Sequence, residues 1–246
     1  MVRKVIGAVL VVVGASVLVL ASLFAQLYPK PAVEPSTESE IVIALPPPRL
    51  DSDFSIEKAL LMRRSVRDYT GEPLTLIEVS QLLWAAQGIT DPRGFRTAPS
   101  AGGLYPLEVY LVAGDVENLE AGIYRYRPKS HELVKIQSGD LREVLCTAAL
   151  GQAWVKEAAA DIVIMGVYER TTVKYGDRGI QYVHMEAGHA AQNVCLQATA
   201  LGLGTVTVGA FYDDQIQKAL NAPENEKPLY VMPIGRLTRS GAGEGI

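Results

Sequence analysis

Thiols are scarce in this 246-residue chain: Cys146 and Cys195 are the two it has, each in an apolar, helix-like segment. Neither belongs to a CxxC pair, which argues against a zinc or dithiol site. Buried free thiols fit better, and a single disulfide between the two stays open. Positive charge is not in excess. Lys and Arg number 23 against 27 Asp and Glu, a net charge of -4, so nothing in the balance points to nucleic acid. Low-complexity blocks and internal repeats are missing. Several motifs also fail on inspection. Gly202-Leu203-Gly204 starts like a dinucleotide fingerprint, but Thr207 stands where the third glycine belongs, and the segment runs from helix to strand, the reverse of the required order. His184 and His189 are five residues apart, whereas both imidazoles share one helix face only at a spacing of four. No serine occupies a nucleophile elbow, so acyl transfer has no support.

What is present suits one packed domain, with 48% hydrophobic and 20% charged residues. Ahead of it, Arg3 and Lys4 precede a run from Val5 to Leu27 without a charged residue, long enough to cross a bilayer as a helix. A cleaved signal peptide, cut near Ala21 or Ala25, is the competing reading. Residues 1–28 are therefore expected to be a membrane anchor or a signal peptide. Arg3 and Lys4, set against Glu34, Glu38 and Glu40, keep the N-terminus inside and place the domain outside the cytoplasm. Proline at positions 29, 31, 35 and 46–48 predicts a semi-rigid spacer over residues 29–49, with the folded domain over 50–240.

Helical and strand patterns alternate within that domain. Ile56, Ala59 and Leu60 read as the inner face of a short helix. Thr75 and Glu78 form a capping-box signature for a helix that Gly88 ends. Leu107 to Ala113 reads as a strand, and Gly122 to Tyr126 with Glu132 to Ile136 as a hairpin. A helix is expected from Asp140 to Ala149 and a buried strand from Asp161 to Val167. Ile180 to Leu201 is a long helix with alanine on several faces, which suits burial, and Gly202 stops it. Strands at Thr205 to Val208 and Leu229 to Ile234 flank a short helix begun by Asp213. The class is mixed α and β.

Two segments carry chemistry. Arg63-Arg64-Ser65-Val66-Arg67 packs three guanidinium groups and a hydroxyl into five residues. Arginine offers a planar fork of donors matched to phosphate oxygens, so the segment reads as a phosphate clamp or, alternatively, as a solvated basic turn beside Glu57 and Asp68. The run from Ala98 to Pro106, with Pro99, Ser100, Ala101 and Gly102 in it, is a stiff backbone that can lay main-chain donors against a flat ligand. An ordinary connecting loop is the other reading.

Together, Arg-Arg-Ser-Val-Arg and Pro-Ser-Ala-Gly-Gly-Leu-Tyr-Pro resemble the nitroreductase family of flavin mononucleotide (FMN) enzymes. Gly188-His189-Ala190-Ala191-Gln192-Asn193, Gly202-Leu203-Gly204, Val208-Gly209-Ala210-Phe211 and Pro233-Ile234-Gly235-Arg236 follow in the family's order. The wording of the Pro99 loop and the pair Lys174-Tyr175 are most similar to the SagB-type branch, which includes peptide thiazoline and oxazoline dehydrogenases. The resemblance implies an α+β, nitroreductase-like fold: a central, mostly antiparallel sheet flanked by helices, with one long central helix. It implies FMN as cofactor and a homodimer. Arg63, Arg64, Ser65 and Arg67 would hold the flavin phosphate and ring edge, Arg64 least securely, and Arg236 would either reach the phosphate or neutralise a Glu or Asp. Pro99, Ser100, Ala101 and Gly102 would contact the ring, across a dimer interface, and Gly209 would face its N5 and O4 edge. Lys174 and Tyr175 would be catalytic, with Arg170 and Arg178 near in sequence; an exposed loop lysine is the plain alternative. The implied reaction moves hydride between flavin and a small-molecule or peptide substrate, azoline oxidation being one form. An NAD(P)H-dependent nitro or quinone reductase and a non-catalytic electron-relay module are the alternatives.

Overall fold

The computed structural model describes residues 40–238. The expected anchor and the first ten or so spacer residues lie outside the described residues. Among the described residues, no helix is long and apolar enough to cross a membrane.

Seven strands form one sheet in the order β1, β6, β5, β3, β7, β9, β8, every neighbouring pair antiparallel. They are β1 (Val42–Ala44), β3 (Leu107–Ala113), β5 (Gly122–Arg127), β6 (Glu132–Ser138), β7 (Ala160–Gly166), β8 (Leu203–Thr205) and β9 (Lys227–Arg236). Two short strands, β2 (Leu74–Thr75) and β4 (Val116–Glu117), pair in parallel apart from it. The expected α+β architecture is what folds. Every residue of β7 is buried, as expected of a strand between β3 and β9 with helices over both faces.

The helices are α1 (Ile56–Met62), α2 (Leu76–Gln87), α3 (Arg142–Ala148), α4 (Ala153–Glu157), α5 (Glu169–Tyr175), α6 (Arg178–Ala200) and α7 (Asp213–Ala219). Alternating β7 side chains divide the core. Ala160, Ile162 and Ile164 join Leu82, Leu83, Ala187, Ala190 and Val194 of α2 and α6 on one face. Val163 and Met165 join Leu145, Val155 and Ile216 of α3, α4 and α7 on the other. The helix α6 explains its own composition: Gly179, Ala187, Ala190, Ala191 and Ala198 are buried, so small side chains let α2 and the sheet approach it closely. Gly202, at φ 71°, ends it in the left-handed region.

Three expectations need correction. The fold begins before Leu50. Val42 pairs with Val134, Leu45 is buried, and Arg49 N–H donates to Gln81 Oε1 at 2.8 Å. Proline blocks helix, but it leaves the extended form that an edge strand needs. The inner face assigned to α1 is also wrong: Ala59 is buried, while Ile56 and Leu60 are 55% and 57% exposed. The late strand at Thr205 to Val208 is displaced. Ladder pairing runs from Leu203 to Thr205, and Val208 makes an isolated bridge to Val231.

Candidate active site

The thiols are both free and buried, and burial raises the pKa of each. The chemistry lies elsewhere, along α6.

The arginine segment leaves α1 at its C-terminus. Ser55 caps the start of that helix by accepting from Lys58 N–H, and Arg63 closes it. The chain then runs beside β8: Ser65 bridges Thr205, and Val66 N–H donates to Thr205 O at 2.9 Å. Arg63 is half-buried near Cys195 of α6, close enough that its charge favours the thiolate. Arg67 is exposed, with its guanidinium 5.6 Å from the Trp154 ring centroid. Arg64 bends back on its own turn, donating to Leu61 O and Arg63 O at 2.9 and 2.7 Å. At Arg236 the acid-pairing alternative is what folds. Its guanidinium is taken up by Pro73 O at 3.0 Å and by the two oxygens of Glu78. The structure thus gives Arg236 to the Glu78 carboxylate and not to the arginine segment.

The glycine loop lies over the first half of α6. Ser100 opens a 3₁₀ turn, Ala101–Gly103, and its Oγ accepts from Tyr105 N–H at 2.9 Å. Pro99 is exposed, while Ala101 is half-buried. Gly102 sits at φ 64°, where a side chain is strained. A Cβ there would lie 2.8 Å from Tyr175 Oη and 2.9 Å from Lys174 Nζ. The fold therefore brings Lys174 and Tyr175, in the last turn of α5, onto the loop some seventy residues earlier. Lys174 Nζ is 5.4 Å from the Tyr175 ring centroid, and that ring meets Tyr182 edge-on at 5.1 Å. Arg170, one turn back on α5, donates to Tyr105 O at 3.1 Å and pairs with Glu108. Gly209 is exposed beyond β8, next to Ala210, whose carbonyl accepts from Gln152 Nε2 at 2.8 Å.

The helix α6 spaces the two segments. Asn193 Nδ2 donates to Thr97 O at 3.2 Å, Glu186 is buried near Ser100, and Cys195 lies near Arg63. Nine residues from Glu186 to Cys195 correspond to about 14 Å along the axis.

Buried polar groups without partners show what the site could take. Beside the arginine segment, Thr205 Oγ1 and Trp154 Nε1 are buried and make no protein hydrogen bond. Such groups cost free energy unless something satisfies them, and an anionic, oxygen-rich ligand would satisfy both donors. Sequence reasoning missed Thr205, Trp154, Arg96 and Glu186. Glu186 alone had a visible signal, as a lone acid among the small and apolar residues of α6.

Comparison with known proteins agrees. The nitroreductase family profile matches residues 60–236. A candidate nitroreductase of Methanocaldococcus jannaschii is 52% identical over 184 residues, covering 75% of this chain and 92% of that protein. A solved candidate nitroreductase from Ralstonia eutropha superposes with a TM-score of 0.72 at 33% identity, over 86% of this chain and 95% of that one. The microcin B17-processing protein McbC of Escherichia coli is 28% identical over 66% of this chain, which spans 62% of McbC's length. The solved microcin synthetase McbBCD complex with truncated pro-MccB17 superposes with a TM-score of 0.63 at 25% identity, over 87% of this chain and 86% of that one.

Fold and site together define an oxidoreductase that works with a flavin. The chain belongs to the nitroreductase family. FMN is that family's cofactor, and the orphaned donors of Thr205 and Trp154 beside Arg63, Ser65 and Arg67 fit an anionic group such as its phosphate.

Proposed function

We propose that this protein is an FMN-dependent dehydrogenase of the SagB-type group, taking hydride from an azoline ring in a modified peptide. The observation that carries the reading is the convergence of Lys174 Nζ and Tyr175 Oη on Gly102 of the ring loop. Similarity to McbC, a microcin-processing protein, supports a peptide substrate.

Azoline oxidation removes a hydride and a proton from the ring, and bound FMN supplies the hydride acceptor. The proton falls to this chain. Lys174 is exposed and Tyr175 half-buried, so an amine and a phenol stand together at the site's mouth, where one can take a proton and the other hold the substrate. Gly102 leaves room for both. Main-chain N–H groups near Gly209 would face the edge of the ring where negative charge develops on reduction.

A second reading is an NAD(P)H-dependent nitro or quinone reductase, favoured by the 52% identity to the archaeal candidate nitroreductase. Anaerobic stopped-flow separates the two. Flavin bleaching by NAD(P)H alone, faster than by any azoline peptide, would replace the first reading with the second. With the azoline peptide as donor, Lys174→Ala should abolish flavin reduction, and unchanged turnover would remove Lys174 from the mechanism.

The same proposal includes a homodimer tethered by its N-terminus, with the domain outside the cytoplasm. The exposed apolar residues of α1, Ile56, Leu60, Leu61 and Met62, support association of two copies. The uncharged run from Val5 to Leu27 supports the tether. Light scattering in detergent and protease protection of sealed vesicles test the two parts separately.

A further inference from the structure

A cleft of about 500 Å³ opens between the end of α2, the start of β3 and the turn from β5 to β6. None of the residues lining it belongs to the arginine segment or the ring loop. Five cations line it: Arg96, Arg125, Arg127, Lys129 and Arg170. Three of them have acid partners. Glu108 takes up Arg125 and Arg170, Glu226 also holds Arg125, and Glu132 and Glu40 hold Arg127. Among the described residues, Arg96 and Lys129 pair with no acid; Glu108 and Glu186 act on Arg96 only from a distance.

The Arg96 guanidinium is fixed on one side and free on the other. Its Nη1 donates to Gln87 Oε1 at 2.7 Å, and its plane stacks 4.4 Å from the Tyr105 ring centroid. The edge made by Nε and Nη2 has no protein partner, and Nε is buried. Gln87 is 0% exposed, and its Nε2 is likewise buried without a partner. Such donors cost free energy while they stay unmet. An arginine edge beside a primary amide is a planar donor set, matched to the two coplanar oxygens of a carboxylate.

Size and surroundings indicate what carries that carboxylate. The volume is in the range of sites for ligands far larger than a free two-oxygen anion. The cleft shares Ile89, Pro128, Lys129 and Ser130 with a second one of about 400 Å³, which Trp84, Pro47 and Pro48 line. Together they offer a charged end and an apolar end to one extended ligand. At the charged end, Arg170 donates to Tyr105 O, and Lys174 follows it by one turn of α5.

We propose that this cleft receives an acidic residue of the peptide substrate. The side-chain carboxylate meets Arg96 and Gln87, and the peptide backbone runs past Lys129 towards Trp84. The assignment rests on the peptide reading of the function, but it concerns binding, and its test needs no turnover.

Calorimetric titration of the full chain in detergent compares two blocked tripeptides. Acetyl-Ala-Glu-Ala-amide should bind about tenfold more tightly than acetyl-Ala-Gln-Ala-amide, the worth of hydrogen bonding to a charged group. In nuclear magnetic resonance, the Arg96 Nε–H signal, identified by its loss in Arg96→Lys, should move with the Glu peptide and stay still with the Gln peptide. Arg96→Lys keeps the charge but loses the fork, so the preference should drop below about threefold. Lys129→Ala, at an exposed position, should lower it by about twofold and serves if Arg96→Lys fails to fold. Equal binding of the two peptides by the wild type overturns the proposal, as does an Arg96 signal that ignores the Glu peptide. A preference unchanged in Arg96→Lys overturns it too. Free glutarate binding as tightly as the Glu peptide would give the site to a small acid and overturn the peptide assignment. The expected preference and signal shift, with no flavin reduction by any azoline peptide, would support the cleft and count against the proposed reaction instead.

Discussion

Arg236 grips Glu78 with both terminal nitrogens, at 3.0 and 3.1 Å, and Glu78 at the same time caps α2 through Thr75 N–H at 2.8 Å. One carboxylate thereby ties the last strand to the start of a core helix. Burial opposes its ionisation, but the bonds from Arg236 and Thr75 outweigh that and hold its pKa below the usual range. Because the folded value is lowered, the stability it contributes is present above the ordinary glutamate value and is lost as pH falls through the folded one. Arg236→Met should cost about 2 kcal/mol in urea unfolding at neutral pH, and less as the carboxyl protonates. FMN affinity of the folded variant should change less than about twofold; a tenfold loss would return Arg236 to the phosphate.

Gly102→Ala should separate geometry from stability. The new Cβ would meet only the flexible ends of Lys174 and Tyr175, and the positive φ adds about 1 kcal/mol of strain. The melting temperature should fall by a few degrees, about 2 to 4. Turnover should fall far more than that loss implies, because both side chains are displaced together. Equal turnover would mean that their closeness to the loop carries no catalysis.

Thr205 and Trp154 should matter to cofactor binding more than to folding. Thr205→Val removes a buried hydroxyl that has no protein partner, so it should leave stability unchanged or raise it slightly. FMN should bind about tenfold more weakly, the worth of one hydrogen bond to a charged group. Trp154→Phe should act in the same direction. Equilibrium titration of the apoprotein with FMN checks both.

Asp161 offers a pH test of the core. It is wholly buried on β7, neither carboxylate oxygen has a hydrogen-bond partner, and burial raises its pKa well above the ordinary value. An acid whose folded pKa is raised binds its proton more tightly in the native state, so stability falls as pH rises from the unfolded value towards the folded one. Asp161→Asn should be near neutral at about pH 4 and stabilising by at least about 1 kcal/mol at about pH 8. Equal effects at both values would place a charge-neutralising partner at this site.

Local patterns were legible because their physics is local. The Thr75–Glu78 capping box, the Gly202 stop, the hairpin and the alanine-rich α6 are each decided by neighbours within a few residues. The arginine segment and the glycine loop were legible as wording, which is how they led to a family. What failed depended on distant partners. Arg236 read equally as a phosphate ligand or as the partner of an acid, because nothing in its surroundings shows Glu78, 158 residues earlier in the chain. The α1 helix read as core-facing because its spacing is right, yet no element of the described fold covers Ile56 or Leu60. The meeting of Lys174 and Tyr175 with Gly102 depends on the path of α5 across the end of the sheet, and no local pattern encodes it.

The first strand also bears on how this protein stays dispersed. An uncovered β6 would present a row of free N–H and C=O groups to any passing chain, an invitation to intermolecular ladders. Val42–Ala44 occupies that row for three residues, and Pro46, Pro47 and Pro48 follow at once. Prolines cannot donate to a further ladder, and Pro46 O is already held by the Ser80 hydroxyl at 2.6 Å. These prolines thus guard the sheet's edge, and a truncation that removed them together with β1 would create an aggregation site.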